Sequence, residues 1–437
     1  MGEIFDTPCG QIMGDRLEGY LFFRGIPFAE TERFTEPKVI KSWEDTFDAT
    51  VGETDCYQLS AFEDEGDAFY AREFRSDRIS PNYADSPMTL NIITPGMEGS
   101  RPVLLFVHGG SFETGTVGEA PYGTSVEYAK RDVVLVSTGY RLNVFGLFGG
   151  ENYGLMDILA AVEWVRENIS SYGGDPDNIT IMGQSAGAMS VMDLLCSGML
   201  SGKVTHAIMM SGAGVVPRIA APLTKAEVSD FWEKVNEAAG GDAKNADPEV
   251  LWRAWKNVKD QDKLLTGFKH TQPTIDGRIN KKSQKEAVRS GDILDVPMMI
   301  GITSQDMLPI MIYPMALKLA LACAEKGHAP VYAYLFDHVL PGNSYRAFHA
   351  SDLWYMFGNM EKSWRPFEEF DKKLCATMID NVAAFCNTGK PHDTAWLPIS
   401  KNQKSFRHFD GVSEGMATPK YCKKKMFETM FKDPGPA

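Results

Sequence analysis

At 437 residues, 43% of them hydrophobic, the chain is long enough to bury a large core, as two domains or as one large α/β domain with insertions. A formal charge of −14 and a pI near 5.1 argue against a phosphate-backbone ligand, because nucleic-acid binding needs clustered Lys and Arg to displace counterions. No stretch approaches the ~18 to 20 continuous apolar residues of a membrane span, so a protein without one is expected.

The amino-terminal MGEIFDTPCGQIMG has neither the basic nor the apolar region of a secretory leader, and a cytoplasmic location is expected. From residue 11, QIMGDRLEGYLFFRGIPF reads as an antiparallel hairpin. Apolar runs then alternate with helix-period segments: RPVLLFVHGG, DVVLVSTGY, the helical YGLMDILAAVEWVRENI, NITIMG, the helical SAGAMSVMDLLCS and HAIMMSGAG. These runs are continuously apolar rather than alternating, as in strands covered by helices on both faces. The fold class is therefore α/β, a mostly parallel sheet with crossover helices.

Residues 224 to 262, rich in Trp and charge, read as a helical insertion spanning about 220–270. Strands resume at VPMMIGIT and VYAYLFDHV, and the helix FDKKLCATMIDNVAAFCNTG stops at Gly389 with Pro391 beyond it. The basic run Lys423 to Lys425 reads as a solvated helix face. No linker or composition break divides the chain, so one domain over residues 1–437 is expected.

The cysteines at 9, 56, 196, 323, 375, 386 and 422 are odd in number and form no Cys-x-x-Cys pair. They read as small buried hydrophobes, not as a zinc site or disulfide framework. The run GGDPDN at 173 to 178 lacks the alternating oxygen ligands of a calcium loop, and no metal is implied.

Two Gly-x-Ser-x-Gly runs occur, GQSAG at 183 to 187 and GVSEG at 411 to 415. Such a serine does chemistry when it occupies a sharp strand-to-helix turn that exposes its hydroxyl. Ser185 meets this demand, with the strand NITIM before it and small residues opening a helix after it; Ser413, followed by MATPK, reads as part of a surface loop. The oxyanion formed by attack on an ester needs preorganised N–H donors. Gly109 and Gly110 of VHGGSF, with the amide of Ala186, can supply them, and His108 reads as a loop-shaping residue.

The serine needs a histidine base, and the base a carboxylate, in the chain order Ser, acid, His. Asp306 follows the strand MMIGIT, where a strand's carboxyl end presents it to a site. On position alone both His349 and His338 are candidates for the base; His338 sits at the tail of a strand, where a structural role is the better fit.

The stretches YLFFRGIPFAETERF, TLNIITP, VHGGSF, YRLNVFG, the long block from NYGLMD to GQSAGAMSV, PTIDG, GITSQD, VYAYLFDH and FHASDLWYMFGN together resemble the type-B carboxylesterase/lipase family, the cholinesterase-like α/β-hydrolases, from about residue 10 to 400. The resemblance implies an α/β-hydrolase fold and a serine carboxylesterase that uses no cofactor and acts on a small-molecule ester. It implies Ser185 as nucleophile, Gly109, Gly110 and Ala186 as oxyanion donors, Asp306 as acid, His349 as base, and Ser211 as a support for the acid. The family also contains non-catalytic adhesion homologues, and the same machinery serves amidases and carbamate hydrolases. These are the alternatives.

Four departures from the family pattern stand out. The acid is usually Glu, and Asp306 is one methylene shorter, so its loop must come closer to His349. The family's early disulfide would use Cys56, but its partner stretch DSPMTLN has no cysteine, which agrees with a reducing compartment. Gln184 is neutral where cholinesterase-like members carry Glu, so a choline head would lose a partner at that position. The segment between Asp306 and His349 is also short, with a reduced helical part at about 307–330, which implies less cover over the site.

Overall fold

The structure is a computed structural model that describes residues 2–58, 68–74, 82–215, 221–261, 269–307, 309–342, 345–411 and 414–432. Twelve strands follow one another across a single sheet: β1 (Glu3–Thr7), β2 (Gly10–Leu17), β3 (Tyr20–Pro27), β4 (Thr89–Thr94), β5 (Arg101–Val107), β6 (Val134–Thr138), β7 (Gly174–Gln184), β8 (His206–Met210), β9 (Met298–Thr303), β10 (Val331–Phe336), β11 (Phe406–Phe409) and β12 (Glu414–Ala417). Their spatial order is β1-β2-β3-β4-β6-β5-β7-β8-β9-β10-β11-β12, with the short strand Phe47–Asp48 attached to β2. From β6 to β11 every neighbouring pair is parallel. The amino-terminal strands and the last pair are antiparallel.

The apolar runs read as strands are buried on both faces. Along β5, Val103, Leu105 and Val107 join one core while Leu104 and Phe106 join the other, as the two-residue strand period requires. The first core takes in α1 (Tyr153–Asn168), α2 (Ala186–Ser197) and the helix α5 (Pro309–Glu325). The second takes in α6 (Leu353–Phe357) and α7 (Glu369–Thr388). Between β8 and β9 stand two helices of the expected insertion, α3 (Ser229–Ala238) and α4 (Pro248–Asp260). The Asp247 side chain accepts from the Glu249 and Val250 amides, and Pro248 opens the helix; both are strong start signals. The loop after β6 is anchored by a fully buried ion pair, Arg141 to Asp157 of α1, with Nη2 to Oδ1 at 2.7 Å and Nε to Oδ2 at 2.8 Å.

Two sequence expectations need correction at the carboxyl end. MATPK is not a surface loop: Glu414–Ala417 is the edge strand β12, and Pro419 opens α8 (Pro419–Lys432). Four residues are too few to show a clear alternation, and their pairing with β11 decides the matter. Lys425 also leaves the solvated face. Its ammonium turns inward to Asp337, 3.0 Å away, while Lys423 and Lys424 are exposed.

Candidate active site

The strand β7 delivers Ser185 to the carboxyl edge of the sheet, and α2 begins at the next residue. The turn is strained: Ser185 has φ 53° and ψ −121°, a region that side-chain-bearing residues rarely adopt. It is held by its own N–H, which donates to the Met210 carbonyl of β8 at 2.8 Å. The flanking glycines are needed for close approach. A Cβ at Gly183 would lie 2.3 Å from the Gly187 carbonyl oxygen, and one at Gly187 would lie 2.1 Å from that of Val107.

His349 lies 2.9 Å from the Ser185 hydroxyl through Nε2, and 2.7 Å from Asp306 Oδ1 through Nδ1. The second Asp306 oxygen accepts from the Thr303 N–H at 3.2 Å. Serine, imidazole and carboxylate thus form one continuous hydrogen-bonded row. Burial of the ring works against the charged imidazolium, and the Asp306 carboxylate outweighs it, so the His349 pKa is held above the ordinary value.

Asp306 is brought to His349 by its neighbour, a residue that pattern reading passed over. Gln305 donates its N–H to the Ala347 carbonyl at 2.7 Å, and its Oε1 accepts from the Arg346 N–H at 2.6 Å. The loop after β9 is thereby fastened to the loop carrying His349. The signal was absent from local sequence because the two loops are separated by a whole helix and strand.

The competing residues have other tasks. His338 places Nε2 2.8 Å from Asp371 of α7, away from the serine. His108 is buried, with its ring stacked 4.6 Å from that of Tyr140 and Nδ1 2.8 Å from the Gly109 carbonyl; burial pulls its pKa down to about 4. Asp352 accepts from the Tyr334 hydroxyl at 2.8 Å, and burial raises its carboxyl to about 7. Ser211 does not bond Asp306: its hydroxyl is buried without a hydrogen-bond partner among the described residues, and the second oxygen of Asp306 accepts from the Thr303 amide. Gln184 is buried, its amide nitrogen 3.4 Å from His349 Nε2. Ser413 lies outside the described residues.

A cavity of about 310 Å³ opens beside Ser185 and His349. Gly109, Gly110 and Ser111 form part of its wall, on the loop after β5. A Cβ at Gly110, where φ is 106°, would strike the Thr114 carbonyl at 2.0 Å, so only glycine fits there. Ser111 adopts φ 56°, and sequence reading had not placed it at the site. The aromatic residues Phe112, Tyr140, Trp354 and Phe357 are core residues, and none lines this cavity. Its rings are Tyr70, Phe74 and Tyr122.

The sheet order, the strand-turn-helix placement of Ser185 and the row of three side chains belong to the α/β-hydrolase fold. The chain belongs to the carboxylesterase family, whose pattern it matches over residues 2–317 and 309–426, and it is a carboxylic ester hydrolase. It is 28% identical to the para-nitrobenzyl esterase of Bacillus subtilis (strain 168) over 463 aligned positions, covering 90% of this chain and 91% of that one. It is 32% identical to the human cocaine esterase, over 69% of this chain and 56% of that protein. Among solved structures, a PNB esterase superposes with a TM-score of 0.83 at 25% identity, covering 98% of this chain and 100% of the other. A carboxylesterase of Geobacillus stearothermophilus gives 0.79 at 26% identity, covering 97% and 99%. The resemblance noted from the motifs is borne out, and with it the fold and the class of reaction.

Proposed function

We propose that Ser185 is the nucleophile of this esterase, His349 its general base and acid, and Asp306 the carboxylate that orients the base. The observation that carries this reading is the unbroken row of contacts, 2.9 Å from Ser185 Oγ to His349 Nε2 and 2.7 Å from His349 Nδ1 to Asp306 Oδ1. His349 takes the serine proton as Oγ attacks the ester carbonyl, then protonates the departing alcohol. Water then gives a proton to the same nitrogen as its oxygen attacks the acyl carbon; the bond from that carbon to Ser185 Oγ breaks, the acid leaves and His349 returns the proton to Oγ. The N–H groups of Gly109, Gly110 and Ala186 receive the oxyanion, and the placement of both glycines in the cavity wall supports this. Ser111, on the same wall, is a further candidate donor. The substrates are carboxylic esters small enough to seat their carbonyl in a cavity of about 310 Å³.

The pH dependence of kcat/KM tests the assignment of the base. His349 works as a base only when neutral, and its pKa lies above the ordinary value. Activity is therefore expected to fall with decreasing pH along a single acid limb centred above about 6.5. A limb centred well below that value, or none between pH 5 and 9, would count against His349.

We infer further that residues 1–437 work as one unit, supported by a sheet that draws strands from Glu3 to Ala417. A reducing, cytoplasmic setting is proposed from the seven free cysteines, six of them buried. Cell fractionation with an antibody to the native protein is expected to place it with soluble cytoplasmic markers; recovery with secreted proteins would overturn that.

A further inference from the structure

The cavity beside Ser185 contains a carboxyl group that ester cleavage does not use. Glu119 stands on the long loop after β5 and lines the same cavity as Gly109, Gly110, Ser185 and His349. Glu113, the other acid on this wall, is paired with Lys259. Glu119 has no ion-pair partner among the described residues. It is hydrogen-bonded by the Tyr122 phenol and the Thr116 backbone, and another carboxylate, Asp55, acts on it by repulsion.

Placing a carboxyl in a cavity wall without a cation costs stability, because the charged form loses water and the hydrogen bonds from Tyr122 and the Thr116 backbone only partly replace it. Burial accordingly pushes the Glu119 carboxyl up to about 7, with Asp55 adding to the effect. A cation entering the cavity would stabilise the carboxylate against both burial and the repulsion from Asp55. The surrounding wall suits one: Tyr70, Phe74 and Tyr122 lie in the same lining, and ring faces attract ammonium groups. Gln184, beside His349, contributes no charge. Charge recognition in this cavity therefore falls to Glu119.

We propose that Glu119 is a specificity-determining residue that receives a protonated amine carried by the ester, making ammonium-bearing esters the preferred substrate class. The amine N–H donates to the Glu119 carboxylate while the ester carbonyl sits at Ser185. The inference rests on the reading of this cavity as the ester-cleaving site.

The test measures kcat/KM by acid release for two matched pairs of esters, using the full chain. One pair carries the charge in the alcohol, 2-(dimethylamino)ethyl butanoate against 3-methylbutyl butanoate. The other carries it in the acid, ethyl 4-(dimethylamino)butanoate against ethyl 5-methylhexanoate. At least one cationic ester is expected to exceed its neutral isostere by about tenfold or more, the worth of a charge-assisted hydrogen bond. Glu119→Gln should erase that ratio, and Glu119→Asp should restore part of it. Equal rates within both pairs in the native enzyme, or a preference that survives Glu119→Gln, would overturn the proposal. Failure of the underlying site reading looks different: every ester, charged or neutral, would be hydrolysed as fast after Ser185→Ala as before.

Discussion

Ser185→Ala is expected to abolish the burst of alcohol release from an activated short-chain aryl ester and to lower kcat by about 10⁶, the cost of deleting a nucleophile that acts as a unit with its base. Alanine removes only the oxygen that bonds His349, so the fold should persist and thermal unfolding should move little. The strained φ of 53° remains, but it is imposed by the tight turn and by the bond from the residue 185 N–H to Met210, not by the hydroxyl. Such a variant separates chemistry from folding cleanly. Retained turnover with an intact burst would remove Ser185 from the mechanism.

Replacing Asp306 with Asn should cost on the order of 10⁴ in kcat, with substrate binding largely kept. The carboxylate accepts from His349 Nδ1–H and thereby leaves Nε2 free to take the serine proton. An amide can turn its NH2 toward Nδ1, which selects the wrong tautomer and withdraws the charge that stabilises the imidazolium. The same change should move the acid limb of the pH profile downward, since the Asp306 charge is what holds the His349 pKa up against burial. A loss below about tenfold would point to another carboxylate. Asp352 is the first to examine: it is fully buried near this pair, and its charge also favours the protonated imidazole.

The two experiments differ in what they demand of the structure. Ser185 needs its turn, which is built from neighbouring residues, from glycines whose missing side chains let β5, β7 and α2 close up, and from the bond to Met210 of β8. Asp306 needs a second loop from another part of the chain to be held at hydrogen-bonding distance. Gln305 does this by bonding the backbone at Arg346 and Ala347. With a side chain one methylene shorter than the usual Glu, Asp306 depends on that fastening for its 2.7 Å contact.

Much of this could be read from the order of residues. Buried parallel strands announce themselves as continuous apolar runs, and β5, β6, β8, β9 and β10 all fall where such runs occur. The choice of GQSAG followed from the strand and helix signals that flank Ser185, whereas the loop reading of MATPK that set GVSEG aside is overturned by β12 and α8. The short edge strand β12 was missed because four residues carry too little pattern, and the inward turn of Lys425 was missed because Asp337 lies far away in the chain. Ser211 was expected to support the acid, but its hydroxyl makes no such contact among the described residues, and the Thr303 amide bonds the second oxygen of Asp306.

The division has a physical cause. Buried strands, helix ends and the tight turn at Ser185 are marked by residue types close together in sequence, so order and spacing reveal them even though bonds such as Ser185 N–H to Met210 complete them. Which groups share the cavity wall is a matter of contacts between distant segments. Tyr70, Phe74, Glu119 and Tyr122 carry no local mark of their position, and the chain had to be folded before a carboxyl without a cation could be seen beside the serine.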